Sequence, residues 1–320
     1  MAVDKRKARI TAMMTGKRNS DANHLYGRNI RWGERAIHSS LWLCAALSIM
    51  TTVVIVIILG KESIGFFETV ALSDFLLGTQ WTPLFEPAAY GVLPIVWGTL
   101  LITFGAAVIA IPIGLASAIY LSEYASVTTR SIVKPILELL AGIPTVVYGY
   151  FALTFVTPAL RAVLPELQVF NALSGAIVVG IMILPMIVTL SDNALKAVPD
   201  ILRQGAYALG ATSYEVTTKV VVPAGFSGIL ASFLLAISRA IGETMAVTLA
   251  AGATPNLSLS FFESIQTMTA YIVQVSLGDT PAGGIAYQTL FAVATLLFLI
   301  TLTLNVASQW VLKKYNEVYD

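Results

Sequence analysis

The sequence predicts an all-α integral membrane protein with six transmembrane helices. Hydrophobic residues make up 57% of the chain and charged residues only 12%, whereas soluble domains carry about 25% charged residues. Long stretches without charge recur along the chain, and each can cross a bilayer core of about 30 Å as a helix. The Lys and Arg residues are concentrated in alternate connecting segments, as expected for a multi-pass protein.

The first 92 residues divide into a tail, a first span and an external segment. Residues 1–35 hold nine of the nineteen Lys and Arg residues and are predicted to be a basic cytoplasmic tail. Ala36–Gly60 has no charged residue and no small-residue cleavage site after it, so we interpret it as an uncleaved signal anchor. Lys61–Tyr90 is predicted to lie outside, with a short interfacial helix around Ile64–Leu76.

Residues 93–314 are predicted to form the main transmembrane domain. The five further spans are Leu93–Leu121, Leu139–Leu160, Val169–Ser191, Ala224–Ala250 and Ala282–Leu312. The third is interrupted near its start by Gly142-Ile-Pro144, because proline and glycine weaken a helix. The external stretch Phe261–Val275 is predicted to be an amphipathic or re-entrant helix.

The distribution of basic residues predicts the orientation of the six spans. Sixteen Lys and Arg residues fall on the side of the tail, only Lys61 and Arg161 fall on the other side, and Arg239 lies within a span. Because basic residues accumulate in cytoplasmic segments, both termini are predicted to be cytoplasmic.

A pair of charges lies near the middle of the fifth predicted span. Arg239 and Glu243 are four residues apart, so in a continuous helix they share one face. A charge at the centre of a bilayer costs about 3 kcal/mol and usually faces a polar cavity or the protein interior. We therefore predict that Arg239, Glu243 and the following Thr244 line a substrate pathway. The alternative is an ion pair between Arg239 and Glu243 that holds this span against its neighbour.

The loop between the fourth and fifth spans carries a second motif. Gln204-Gly-Ala-Tyr-Ala-Leu-Gly210 is followed after nine residues by Val220-Val-Val-Pro223. A short helix, Pro199–Leu209, is expected here, with Leu202, Ala206 and Leu209 on an apolar face and Gly210 ending it. This spacing resembles the coupling-loop signature of ABC importer permeases, Glu-Ala-Ala-x-x-x-Gly followed by Ile-x-Leu-Pro. Gln204 and Gly205 stand where that signature has Glu and Ala, while Ala206, Gly210 and Pro223 match it.

Further motifs resemble the PstC-type permeases of phosphate-specific ABC importers. They are Gly78-Thr-Gln-Trp81-Thr-Pro-Leu-Phe85, Gly91-Val-Leu-Pro94, Leu140-Ala-Gly-Ile-Pro-Thr-Val-Val-Tyr-Gly149, Leu184-Pro-Met-Ile187, Ala197-Val-Pro199 and Arg239-Ala-Ile-Gly-Glu-Thr-Met-Ala246. The resemblance implies the type I ABC importer permease fold, with a coupling helix at about residues 196–212, in a bacterial inner membrane. It also implies the partners: a second, PstA-type permease, two copies of an ATP-binding subunit and an extracytoplasmic phosphate-binding protein.

Phosphate suits the charged pair chemically. The guanidinium of Arg239 can bind two oxygens of one oxyanion. The carboxylate of Glu243 can accept a hydrogen bond from the phosphate hydroxyl, whereas sulfate has no proton to donate at neutral pH. Rejection of a near-isostere in this way would select phosphate.

The sequence argues against an enzyme. It has no Gly-x-x-x-x-Gly-Lys-[Ser/Thr] loop, so ATP and Mg are expected in the partner subunit and no cofactor is expected in this chain. With one cysteine, Cys44, and two histidines, neither a disulfide framework nor a metal site is expected. Membrane lipid, not nucleic acid, is expected around the chain. The alternatives are a permease for molybdate, sulfate or phosphonate, or a gradient-driven secondary transporter.

Overall fold

The computed structural model describes residues 32–278, 280–281 and 283–315. Within these ranges the chain forms helices and connecting loops, and strand-like pairing is limited to one isolated bridge, between Trp81 and Tyr90. The helices are α1 Trp32–Phe67, α2 Leu72–Leu77, α3 Leu93–Ile119, α4 Val127–Gly142, α5 Thr145–Phe151, α6 Thr157–Arg161, α7 Ala172–Lys196, α8 Asp200–Ala208, α9 Ser213–Val216, α10 Val222–Ala224, α11 Phe226–Ile241, α12 Met245–Ala250, α13 Met268–Leu277 and α14 Ile285–Tyr315. Turns of π-helix follow α3, α5 and α9.

Six membrane crossings are compatible with this architecture. Four helical segments are long and apolar enough to span a bilayer alone: Ala36–Phe67, Leu93–Tyr124, Ala172–Lys196 and Ile285–Trp310. Two helix pairs meet the same criterion together, each bent at a short break: Val127–Gly142 with Thr145–Arg161, at 90°, and Ser213–Ala224 with Phe226–Ile241, at 67°. The first bend lies at Ile143 and Pro144, so the predicted interruption at Gly142-Ile-Pro144 is confirmed.

The chain divides into two compact units, residues 1–57 and 58–320. In the first unit, the described side chains of residues 36–57 are exposed, apart from the half-buried Ala46. Apolar side chains predominate around the whole circumference of the helix, as in a span surrounded by lipid or by other membrane subunits. Most of the basic tail, residues 1–31, lies outside the described residues.

In the second unit, the main core lies where α3 and α7 pack together and against α11 and α12. Its fully buried members are mostly small or β-branched side chains, such as Ala106, Val179, Ile183 and Ala236. Without a hydrophobic driving force inside lipid, transmembrane helices associate through close packing, which small side chains permit.

The connection between α1 and α3 is a compact, aromatic-cored segment. Phe66, Phe75 and Trp81 form edge-to-face ring contacts, and Trp81 also contacts Tyr271 of α13 with ring centroids 4.8 Å apart. The predicted interfacial helix Ile64–Leu76 is wrong, since α1 continues to Phe67 and a separate short helix, α2, begins at Leu72.

Two glycines hold this connection closed. A Cβ on Gly78 would lie 2.5 Å from the Cα of Gly91, so only glycine permits the two backbones to approach so closely. The adjacent hydrogen bonds run from the Gly91 N–H to the Gln80 carbonyl at 2.9 Å and from the Val92 N–H to the Phe75 carbonyl at 2.8 Å. These contacts fix the connection to the first residues of α3.

The segment before α13 also differs from the prediction of a helix over Phe261–Val275. Only Met268–Leu277 is helical, and residues 252–267 form a non-helical loop. The loop's backbone instead pairs with residues 168–173: the Ala172 N–H donates to the Glu263 carbonyl and the Leu173 N–H to the Phe261 carbonyl. These long-range hydrogen bonds replace those that a helix would have made within the segment.

Candidate functional site

The charged pair lies at a break between two helices. Helix α11 ends at Ile241, Gly242 is its C-cap, and α12 begins at Met245. Glycine weakens a helix interior because it loses more conformational freedom than any other residue. The prediction that Ala224–Ala250 is one helix is therefore wrong, and so is the inference that the four-residue spacing places Arg239 and Glu243 on one helical face.

Arg239 is exposed in the last turn of α11. A cation there interacts favourably with the negative end of the helix dipole. Its guanidinium has no hydrogen bond or ion pair with any described residue, so the alternative prediction of an ion pair with Glu243 is not met in this structure. The five N–H donors of Arg239 are thus available to an oxyanion.

Glu243 is placed differently, with only 8% of the residue exposed. Its carboxylate Oε1 accepts a hydrogen bond from the Ala246 N–H at 3.1 Å, which satisfies one of the free N–H groups at the start of α12. Its Oε2 has no hydrogen-bond partner among the described residues. Glu243 therefore stabilises the helix break and keeps one oxygen free.

Thr244 also takes part in the break. Its hydroxyl donates to the Gly242 carbonyl at 3.1 Å, and its own carbonyl accepts from the Thr248 hydroxyl at 2.7 Å. The side chain is half-buried. The structure thus brings Glu243 and Thr244 into the break itself and Arg239 to the exposed end of the helix before it.

At the start of α13, Thr269 supports the break and Met268 joins this helix to α3, and the sequence analysis missed both. The Thr269 hydroxyl donates to the Glu243 carbonyl at 2.7 Å, and the Met268 N–H donates to the Thr99 hydroxyl at 3.0 Å. Thr267 caps α13, and the Thr-Met-Thr sequence before an apolar run is an N-cap signal that could have located this helix start. Ser238, whose buried hydroxyl has no partner among the described residues, gave no such signal.

The second candidate site is the short helix α8, where a helix over Pro199–Leu209 was predicted. Leu202 and Ala206 pack against the apolar cluster formed by Ala118, Leu195, Val198, Val216, Val221 and Ile229. Leu209 is 90% exposed and does not share that apolar face, contrary to the prediction.

The outer surface of α8 carries the other motif residues. Gln204 and Gly205 are exposed, and Gly210 follows the helix with φ +83°, the left-handed conformation that ends many helices. Pro223 lies apart from this helix, in α10 just before the 67° bend at Gly225. The exposed apolar side chains Ile201 and Leu209 flank Gln204 and Gly205, and such a group is typical of a protein contact.

Residues 110–316 match the model of the family described as "Binding-protein-dependent transport system inner membrane component". The chain is 36% identical to the probable ABC transporter permease protein YqgH of Bacillus subtilis, over 81% of this chain and 84% of that protein. It is 32% identical to the phosphate transport system permease protein PstC of Mesorhizobium japonicum, over 82% of this chain and 87% of that protein.

Solved structures show the same fold at low sequence identity. A chain of the inward-facing MetNI methionine ABC transporter matches with a TM-score of 0.58 and 17% identity, over 72% of this chain and 99% of that chain. A chain of a bacterial ABC transporter that imports alginate matches with a TM-score of 0.54 and 16% identity, over 86% of this chain and 96% of that chain.

Proposed function

The chain belongs to the family of binding-protein-dependent transport system inner membrane components, and from this premise we propose that it is a permease subunit that carries inorganic phosphate across the cell membrane. The observation that carries the proposal is the similarity, over about four fifths of the chain, to permeases named for phosphate transport. A PstA-type permease would complete the pathway, two copies of a subunit that binds ATP and Mg would drive it, and an extracytoplasmic binding protein would deliver phosphate.

The geometry around Arg239 supports an anionic substrate. The guanidinium is exposed and unpaired in the described structure, at a helix end that the sequence places within a membrane span. An unpaired charge inside a membrane is costly and is typical of an ion or substrate pathway. Phosphate passing Arg239 would accept two parallel hydrogen bonds from the planar guanidinium.

Uptake of radiolabelled phosphate by vesicles containing the assembled transporter tests this proposal. We expect ATP-dependent uptake that excess unlabelled phosphate reduces and that equal excesses of sulfate or molybdate do not. Competition by sulfate or molybdate would favour another oxyanion as substrate. Uptake driven by an ion gradient without ATP would contradict the proposed mechanism.

Replacing Arg239 tests its place in the pathway. Loss of about 2 kcal/mol of charge-assisted hydrogen bonding corresponds to about a thirtyfold fall in the transport rate of Arg239→Ala. Arg239→Lys keeps the charge but not the fork, so its rate should lie between those of Arg239→Ala and the wild type. Arg161→Ala removes another exposed arginine and serves as the control with an unchanged rate. Equal rates in Arg239→Ala and the control would contradict the assignment.

Replacing Glu243 separates two roles of its carboxylate. Glu243→Gln keeps an oxygen to accept from the Ala246 N–H but loses the negative charge, whereas Glu243→Ala loses both. If the carboxylate also accepts a hydrogen bond from the phosphate hydroxyl, Glu243→Gln should have the stability of the wild type, and sulfate should compete with phosphate for uptake by this variant. Unchanged phosphate uptake and unchanged discrimination against sulfate in Glu243→Gln would show that Glu243 only caps α12.

A further inference from the structure

One arginine of α8 joins this helix to the ends of two long helices. Arg203 Nη2 donates to the Leu195 carbonyl at 2.8 Å, and Nη1 donates to the Val198 carbonyl. The same guanidinium meets Glu123 side-on, with Nη2 at 3.2 Å from Oε1 and Nε at 3.4 Å from Oε2. The side chains of Arg203 and Glu123 are only 15% and 10% exposed.

These bonds connect three separate elements. Glu123 lies in the π-helical turn Tyr120–Tyr124 that ends α3, and turns of this type are frequent at functional sites. Leu195 lies in the last turn of α7 and Val198 just beyond it, where carbonyl groups have no partner within the helix. Arg203 donates to both carbonyls at the end of α7 and pairs with Glu123 at the end of α3, so a single side chain from α8 contacts both ends.

The rest of α8 is held by weaker constraints. No residue of this helix is fully buried, and its inner face makes apolar contacts through Leu202 and Ala206. Apolar contacts are not directional, so they permit a short helix to slide or rotate on the surface below. The bonds of Arg203 are directional and fix the position of α8 relative to α3 and α7.

We propose that Arg203, paired with Glu123, is the positioning residue that transmits movement of α8 to α3 and α7 when ATP is hydrolysed by the partner subunit. The inference rests on the proposed function, in which α8 contacts the ATP-binding subunit. A buried ion pair adds little net stability compared with apolar residues of similar size, and its directional geometry suits the proposed positioning role. Lysine cannot replace Arg203, because an ammonium group lacks the fork that reaches Glu123 and two carbonyls together.

The first test compares transport with ATP hydrolysis in the reconstituted transporter. The variants are Arg203→Lys and Glu123→Gln, and the control is Lys219→Ala, which removes an exposed ion pair with Glu215 nearby. We expect both variants to assemble and to keep their unstimulated ATP hydrolysis. The phosphate transported per ATP hydrolysed should fall by about fivefold or more, the lower end of typical coupling between sites. The control should keep the wild-type ratio.

A purely structural role would give a different result. Transport and ATP hydrolysis would then fall together as less transporter folds, with their ratio unchanged, and this outcome would overturn the proposal. If Arg203→Lys does not assemble, Glu123→Gln decides alone, because its side chain remains similar in shape and only the charge is lost. A wild-type ratio in Glu123→Gln would also overturn the proposal.

A second measurement separates this inference from the identity of the substrate. Spin labels are placed on cysteines that replace the exposed Ala208 of α8 and Ile113 of α3, in a Cys44→Ala background, and are used only if the labelled transporter hydrolyses ATP. With intact Arg203, the distance between the labels should stay the same on addition of nucleotide, because α8 and α3 move together. In Arg203→Lys the distance should change or broaden. A constant distance in the variant overturns the inference even if phosphate is the substrate, and a failure of phosphate uptake in the wild type leaves this measurement valid.

Discussion

Asp192 is the most deeply buried charged side chain in the described part of the chain, with 1% of the residue exposed. Its Oδ2 accepts a hydrogen bond from Lys196 of α7 at 2.6 Å and forms an ion pair with Lys134 of α4 at 2.9 Å. The two lysine side chains are 42% and 34% exposed, so water can reach them if the carboxylate is lost. Asp192 therefore ties α4 to α7.

Replacing Asp192 by Ala should lower the free energy of unfolding by about 1–3 kcal/mol, the value of hydrogen bonds to a charged group. Chemical denaturation of the purified protein in detergent measures this change. Lys219→Ala breaks the exposed pair with Glu215 and should change the same quantity by less than about 1 kcal/mol. Equal losses in the two variants would show that burial of Asp192 adds nothing.

For single residues, the sequence identified the charged side chains of the fifth span but not the residues that surround them. Arg239 and Glu243 stand out in an apolar stretch, and the cost of burying charge was enough to select them. Their separation depends on the break at Gly242, which required knowledge of the Thr269 hydroxyl that binds the Glu243 carbonyl. Such long-range partners have no sequence signal of their own. Arg203 was passed over for the same reason, since its partner Glu123 lies 80 residues away.

Helix α8 provides a matched pair of glycines for a test at the level of one element. Gly205 lies in the helix interior with no atom within 4 Å of an added Cβ, while Gly210 follows the helix with φ +83°. Gly205→Ala should stabilise the protein by about 0.5–1 kcal/mol, because alanine forms helix better than glycine. Gly210→Ala should destabilise it by about 1–2 kcal/mol, because a Cβ strains the left-handed conformation.

Thermal unfolding and transport, measured together, distinguish the two glycines. The melting temperature should be highest for Gly205→Ala, intermediate for the wild type and lowest for Gly210→Ala. Because Gly205 lies on the exposed surface of α8, a loss of transport in Gly205→Ala despite higher stability would indicate close approach of another subunit there. A lower melting temperature for Gly205→Ala would contradict the helix assignment.

Elements with strong local signals were predicted well. Helix α8 is Asp200–Ala208 where Pro199–Leu209 was expected, because an N-terminal proline and a C-terminal glycine mark its ends. The connection between α1 and α3 and the loop before α13 were predicted poorly. Their apolar residues satisfy a helical pattern, but their backbones make non-helical hydrogen bonds instead. The Val92 N–H donates to the Phe75 carbonyl within the first segment, and the Leu173 N–H donates to the Phe261 carbonyl of the second.

For the whole molecule, the distribution of basic residues predicts which connecting segments face the cytoplasm. Asp74 of α2 and Ser213 of α9 are both exposed and fall on opposite sides in the predicted topology. In a Cys44→Ala background, Asp74→Cys should react with a membrane-impermeant thiol reagent in intact cells. Ser213→Cys should react only after the membrane is permeabilised, and the reverse pattern would contradict the orientation.

The fold class was the most predictable property, because composition and the length of apolar stretches determine it almost without tertiary information. Four of the six predicted spans correspond to long helices, whereas the third and fifth, Leu139–Leu160 and Ala224–Ala250, only overlap the two bent pairs. The bends were harder to predict. Pro144 indicated the 90° bend after α4. The 67° bend lies at Gly225, which nothing in the sequence distinguishes from the other glycines.

Helix α3 runs from Leu93 past Pro112 to Ile119 without interruption, a length of about 40 Å. Its first residues are bonded to the connection that Gly78 and Gly91 hold closed. The π-helical turn that follows its last residue carries Glu123, which pairs with Arg203. In the proposed transporter, the binding protein would act at the outer end of α3 and the ATP-binding subunit, through α8 and Arg203, at the inner end. A displacement at one end of this continuous helix would then reach the opposite face of the membrane through a single element.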